Sequence, residues 1–162
     1  MFILVLGVGN PIMCDDGVGV RAVELLQQRY RLPAHVSVLQ GGTLGLALLP
    51  QVEEADRLLL VDAVDAGEPP GTLVRLAGAD LPLTLEAKVS PHQLGLKELL
   101  SLAALMGKGP RETVLWGVQP ESVALSLGLS ASVESKLEML LASLVQELAC
   151  WGAVAEPVAR GT

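Results

Sequence analysis

The chain has 162 residues, 51% of them hydrophobic but only 2% aromatic, and 11 basic against 18 acidic side chains leave a formal net charge of −7. No clustered Lys or Arg run could track a phosphate backbone, so nucleic acid is not expected as a partner. No stretch approaches the ~20 apolar residues of a membrane span, and the N-terminal apolar run is too short for a secretion signal, so a cytoplasmic protein without membrane contact is expected.

The first predicted element is a buried strand over Phe2 to Val8, a short β-rich apolar run ended by glycines. The loop Gly7-Val8-Gly9-Asn10-Pro11-Ile12-Met13-Cys14-Asp15-Asp16-Gly17 follows. A dinucleotide fingerprint would need a third glycine at position 12, which is Ile. Asp15 and Asp16 would also repel an anion from the start of the next helix, so the loop is suited to a cation or to proton handling. That helix is predicted from Gly17 to about Tyr30, on the helical spacing of Val18, Ala22, Leu25, Leu26 and Tyr30, with one Asp of the pair as its N-cap and Pro33 as its stop.

Val36, Val38 and Leu39 mark a second strand, which runs into a second glycine loop, Gln40-Gly41-Gly42-Thr43, and a short helix from Leu44 to about Val52. Arg57 to Ala63 is a third strand, almost continuously apolar, as in the centre of a sheet covered on both faces, with Asp62 at its carboxyl end. Asp65 to Gly71 is too short for a crossover helix and Pro69-Pro70-Gly71 is strong turn chemistry, so Thr72 to Leu76 is expected to return antiparallel at an edge. Gly78 to Val89 reads as a loop with a turn of helix near Ala79.

Ser90-Pro91-His92 then opens a helix to about Met106, with Leu94, Leu99, Leu102 and Leu105 facing inward. Thr113 to Val118 is the fifth strand, followed by the loop Gln119-Pro120-Glu121. Ser130 caps a last helix whose stripe is Val133, Leu137, Leu140, Leu141, Leu144 and Leu148. The expectation is one three-layer α/β domain over residues 1–152, with a mostly parallel sheet, one antiparallel edge strand and helices on both faces, and a frayed tail over 153–162.

Few polar residues could share a cleft. If the first and third strands are parallel neighbours, their carboxyl ends bring Asp16 and Asp62 together, and two carboxylates about 4 Å apart repel by about 4 kcal/mol at an effective dielectric near 20. Such a pair must share a proton or bind a cation. Adding His92 makes a mixed oxygen and nitrogen set, suited to a borderline divalent ion such as nickel or zinc and equally to acid and base work. Asp65, Glu68, Glu53, Glu54 and Asp56 read as wet loops and Trp116 as core. Cys14 and Cys150 form no CxxC and no disulfide framework, which suits a reducing compartment, and Cys14 reads as a loop-packing residue.

Taken together, several segments resemble the hydrogenase maturation endopeptidases, in particular the HybD, HyaD and HupD type that serves membrane-associated uptake hydrogenases. They are Gly7-Val8-Gly9-Asn10, Asp15-Asp16-Gly17-Val18-Gly19, Gly41-Gly42-Thr43, Val61-Asp62-Ala63, Ser90-Pro91-His92-Gln93-Leu94-Gly95-Leu96 and Gly117-Val118-Gln119-Pro120-Glu121. The resemblance implies a five-stranded twisted sheet between helices. It also implies removal of a C-terminal extension from the precursor of the nickel-iron hydrogenase large subunit once nickel has been inserted. The family's three metal-binding positions fall on Asp16, Asp62 and His92; some relatives carry Glu at the first. Nickel would arrive with the precursor, with no permanently bound metal, and a monomer is expected. Many members have Asp before the Gly-Gly-Thr loop, where this chain has Gln40, which would alter substrate choice if the family's Asp reads the precursor or its metal. Two rival readings are a thiol hydrolase built on Cys14 and His92, and a nickel-sensing chaperone that binds the precursor without cutting it.

Overall fold

The computed structural model describes residues 1–42, 45–78, 81 and 100–159. Its main sheet has five strands: β1 (Ile3–Val8), β3 (Val36–Gly42), β4 (Arg57–Ala63), β5 (Leu73–Ala77) and β6 (Glu112–Val118). Their order across the sheet is β3-β1-β4-β6-β5, with β5 antiparallel to β6 at one edge and the other neighbours parallel. This is the α/β architecture expected, antiparallel edge included. The two-residue β2 (Tyr30–Arg31) belongs to a separate small pairing described below.

Each central strand sends alternate side chains to opposite faces, which is why β1 and β4 read as unbroken apolar runs. Ile3, Val5, Leu59, Val61 and Ala63 meet one apolar layer, contributed by α1 (Val18–Arg29) and by α4 (Leu137–Cys150) through Leu137, Leu140, Leu141, Leu144 and Leu148. Leu4, Leu6, Val8, Leu58 and Leu60 meet the other, with Leu48 and Val52 around α2 (Leu49–Glu54) and Ala103 from the helical residues 100–105. By strand parity Asp62 stands on this second face, at its carboxyl end.

The chain leaves β1 through α1 on one face and reaches β4, on the other side of β1, through α2 on the opposite face. The switch point of the sheet therefore lies between the carboxyl ends of β1 and β4, where open α/β sheets hold their ligands. Packing there is mostly backbone on backbone, with the Val23 side chain also lying against Gly7. A Cβ on Gly19 would lie 2.1 Å from the Val61 carbonyl oxygen and 2.6 Å from that of Val8, and one on Gly7 would lie 2.4 Å from the Gly19 oxygen. Glycine at these positions lets the first turn of α1 rest directly on the sheet.

Several expectations are corrected. Neither Asp15 nor Asp16 caps α1: both lie in a 3-10 turn, Cys14–Gly17, that runs straight into the helix, and the N-cap is Gly17. The helix expected from Ser130 is two pieces, α3 (Ala131–Glu134) and α4, although its predicted stripe is buried, and Ser130 makes no side-chain cap. Leu105 is exposed, because Leu100 and Ala103 form the packed side of their segment and Leu105 falls on the other. Asp56 is no wet loop residue; its Oδ2 accepts the Phe2 N–H at the entrance to β1. Trp116 is only half-buried and donates from Nε1 to the buried Glu147. Nor does the chain fray from residue 153. Ala153 and Ala155 are buried, and β7 (Glu156–Pro157) pairs antiparallel with β2 just after α1. The loop and turn expected over Gly78 to Val89 lie outside the described residues apart from Gly78 and Leu81, as does the helix opening at Ser90-Pro91-His92.

Candidate active site

Asp16 and Asp62 are both buried, one in the turn after β1 and the other at the penultimate position of β4. Asp16 Oδ2 accepts the Asn10 N–H at 2.8 Å, and Asp62 Oδ1 accepts the Ala63 N–H at 2.8 Å. The two residues converge on Gly9, whose φ of +115° is a conformation side chains rarely adopt. A Cβ there would lie 1.9 Å from the Asp16 carbonyl oxygen and 3.3 Å from Asp62 Oδ1. The glycine loop thus brings a bare backbone between the Asp16 turn and the Asp62 carboxylate. His92 lies outside the described residues, so its approach to this pair is untouched by the geometry. Gln40 is exposed near the carboxyl end of β3, paired with Gly7 of β1.

Asp15, adjacent in sequence, does something different. It is completely buried, and its carboxylate accepts four hydrogen bonds: Glu121 N–H at 2.8 Å, Ser122 N–H at 3.2 Å, Ser130 N–H at 2.8 Å and Ser130 Oγ–H at 2.8 Å. Burial by itself would raise its pKa, but the hydrogen bonds from Ser130, Glu121 and Ser122 outweigh that and hold the carboxyl below its ordinary value. The backbone joins in the same clasp. Asp15 N–H donates to the Ser122 oxygen, Cys14 N–H to the Ser126 oxygen and Ser126 N–H to the Ile12 oxygen. Met13 and Ser126 form an isolated parallel bridge. Cys14 is buried in this turn at φ +51°, consistent with a loop-packing residue.

Gln119 ties the loop after β6 to the loop after β4. Its Oε1 accepts the Ala66 N–H at 2.7 Å and the Glu68 N–H at 3.2 Å, while Nε2 donates to Asp65 Oδ1 at 3.1 Å. Sequence reasoning placed Gln119 in a motif without a task; its task is to order the loop that leaves Asp62. Glu147 was missed altogether. Buried on α4, it takes a two-point contact from Arg75, Nε at 2.6 Å and an Nη at 3.2 Å, together with the Trp116 N–H at 3.0 Å. A lone Glu inside an apolar helical stripe was the only signal for it.

Chemically, two buried carboxylates on rigid backbone at a sheet's switch point can ligate a divalent cation or pass a proton. Comparison with known proteins identifies the family. A family profile described as HycI, hydrogenase maturation protease, matches residues 20–147. The chain is 42% identical over 158 residues to the hydrogenase 2 maturation protease of Escherichia coli K12, covering 97% of this chain and 96% of that protein. It is 45% identical over 155 residues to the hydrogenase expression/formation protein HoxM of Azotobacter vinelandii, covering 94% and 75%. Among solved structures, it is similar to the hydrogenase maturating endopeptidase HybD from E. coli with a TM-score of 0.95 at 41% identity, over 99% of this chain and 100% of that one. HybD from Thermococcus kodakarensis gives a TM-score of 0.73 at 26% identity, over 92% and 99%. The sheet, the glycine-lined carboxylate turn and these matches agree: the chain belongs to the hydrogenase maturation protease family and is a peptidase.

Proposed function

We propose that this peptidase removes the C-terminal extension from the precursor of a nickel-iron hydrogenase large subunit after nickel insertion, reading the precursor's own nickel with Asp16, Asp62 and His92. The observation that carries the reading is the convergence of Asp16 and Asp62 on Gly9 at the switch point. Two carboxylate oxygens and one imidazole nitrogen form a donor set that suits a borderline divalent ion. Nickel is here part of the substrate. Its engagement would fix the scissile peptide beside the carboxylates, so positioning supplies much of the rate. A water, activated by the substrate's nickel or by a carboxylate acting as base, attacks the peptide carbonyl. The bare backbone at Gly9 lets the substrate chain come close.

A protein whose site carried its own permanent ion would lose the check that nickel has been delivered, so no resident metal is part of the reading. The test is to incubate the purified protein with nickel-loaded and nickel-free precursor and to weigh the products by mass spectrometry. Loss of the extension from the loaded form only is expected, and equal cleavage of both forms refutes nickel recognition. Asp16→Ala, Asp62→Ala and His92→Ala should each abolish the mass change while the circular dichroism spectrum stays that of the parent. Loss of secondary structure would mark them as structural residues. Cys14→Ser should retain cleavage, which removes the thiol alternative.

A further inference from the structure

The clasp around Asp15 also presents apolar side chains to solvent. Leu125 is 76% exposed and Leu127 83% exposed, with Val123 and Ile12 about half exposed beside them. Exposed leucines are ordinary when scattered singly. These lie close together in sequence or across a backbone pairing, and are anchored: Ser126, between the two leucines, is hydrogen-bonded through both its N–H and its carbonyl to Ile12 and Cys14, and the segment's two ends are tied to the Asp15 carboxylate. The strip is therefore an apolar surface on a braced loop, continuous with the turn that carries Asp16.

We infer that the strip formed by Ile12, Val123, Leu125 and Leu127 docks an apolar surface on the folded body of the protein substrate. This inference rests on the function proposed above. Three observations choose this occupant. The strip adjoins the Asp16 turn, within reach of a polypeptide engaged there. The segment Pro120–Ser130 contains no Lys or Arg and one carboxylate, Glu121, and the neighbouring loop adds exposed Asp65 and Glu68, which disfavours an anionic lipid surface. A second copy seated on the strip would crowd the face a peptidase must keep open. Apolar patches of this kind mark interaction sites when rimmed by polar groups.

The test is steady-state processing of nickel-loaded precursor by the double variant Leu125→Asn/Leu127→Asn. Both side chains are largely in solvent, so the variant should keep the parent's melting temperature. KM is expected to rise about tenfold, with kcat within about twofold, the signature of binding lost equally from ground and transition states. Met139→Asn, an apolar residue 54% exposed on α4, should leave both constants unchanged. An unchanged KM in the double variant overturns the inference, as does a matching rise in the Met139 variant. A parent dimer that the double variant dissolves without moving KM would assign the strip to self-association instead. Vesicle binding lost in the double variant, again with KM unmoved, would assign it to lipid. Failure of the functional reading itself shows differently, as no processing by the parent chain.

Discussion

Removing the Asp15 carboxylate should be among the costliest single polar changes in this chain. In Asp15→Ala the N–H groups of Glu121, Ser122 and Ser130 and the Ser130 hydroxyl all lose their acceptor. Hydrogen bonds to a charged group contribute about 1.5–3 kcal/mol each, so a simple sum would reach ~6–12 kcal/mol, comparable to a whole domain's stability. The sum overshoots, because the donors lie near the surface where water can re-enter, and bonds to one acceptor do not add. A loss of about 3–4 kcal/mol is the reasoned value. Ser130→Ala deletes only the hydroxyl and keeps the Ser130 N–H bonded, so it should cost about 1 kcal/mol. Urea unfolding of the two single variants and the double variant measures both costs, with an unchanged m-value required for the comparison. If Asp15→Ala is no more destabilising than Ser130→Ala, the clasp is not what holds the turn.

Two further outcomes follow from the packing and the charges. Gly9→Ala meets both a forbidden φ and the Asp16 carbonyl oxygen at 1.9 Å, and should cost more than about 4 kcal/mol, whereas Gly42→Ala, at φ +55° with nothing within 4 Å, should cost about 1 kcal/mol. Thermal unfolding separates the two, and equal shifts would refute the close-approach reading. The Glu147 carboxyl is pushed up by burial but pulled further down by Arg75 and Trp116, so its folded pKa is lowered. A lowered carboxyl contributes stability that is complete above its unfolded value, about 4.3, and that disappears as the pH falls through the folded one. Glu147→Gln should therefore cost about 1–2 kcal/mol near neutral pH and flatten the acid limb of the stability profile, and a variant that loses as much on acidification as the parent would contradict this.

What could be read beforehand depended on how local the signal was. β1 and β4 are apolar throughout because helices cover both faces of the sheet, so they stood out as runs. Asp62 stood out for the same reason, as a carboxylate at the end of one of them. Asp16 and Asp15 could not be told apart, because what separates them is a partner 106 or more positions away in the segment after β6. That segment has no periodicity to announce its contacts. The Glu147 contact likewise joins a helix to an edge strand 72 positions away. The tail was misjudged because a two-residue strand containing Pro157 leaves almost no pattern, and its order comes from pairing with β2. Pro at an early helical position and the apolar spacing after His92 suggested a helix there, and residues 100–105 are helical.

The backbone contact between Gly19 and the Val61 carbonyl has a consequence for how the site can vary. Gly19 lies three residues after Asp16, and Val61 is the residue before Asp62, so this joint works as a gauge block between the two acidic positions. The atoms nearest Gly19 in this joint are main-chain atoms of Val61 and Val8, so trimming or enlarging core residues elsewhere changes how firmly the parts are held more than it resets the gap between them. The spacing of the carboxylates is thereby insulated from drift in the apolar layers, and under the function proposed above a substrate ion would meet a fixed aperture rather than one that closes to suit it.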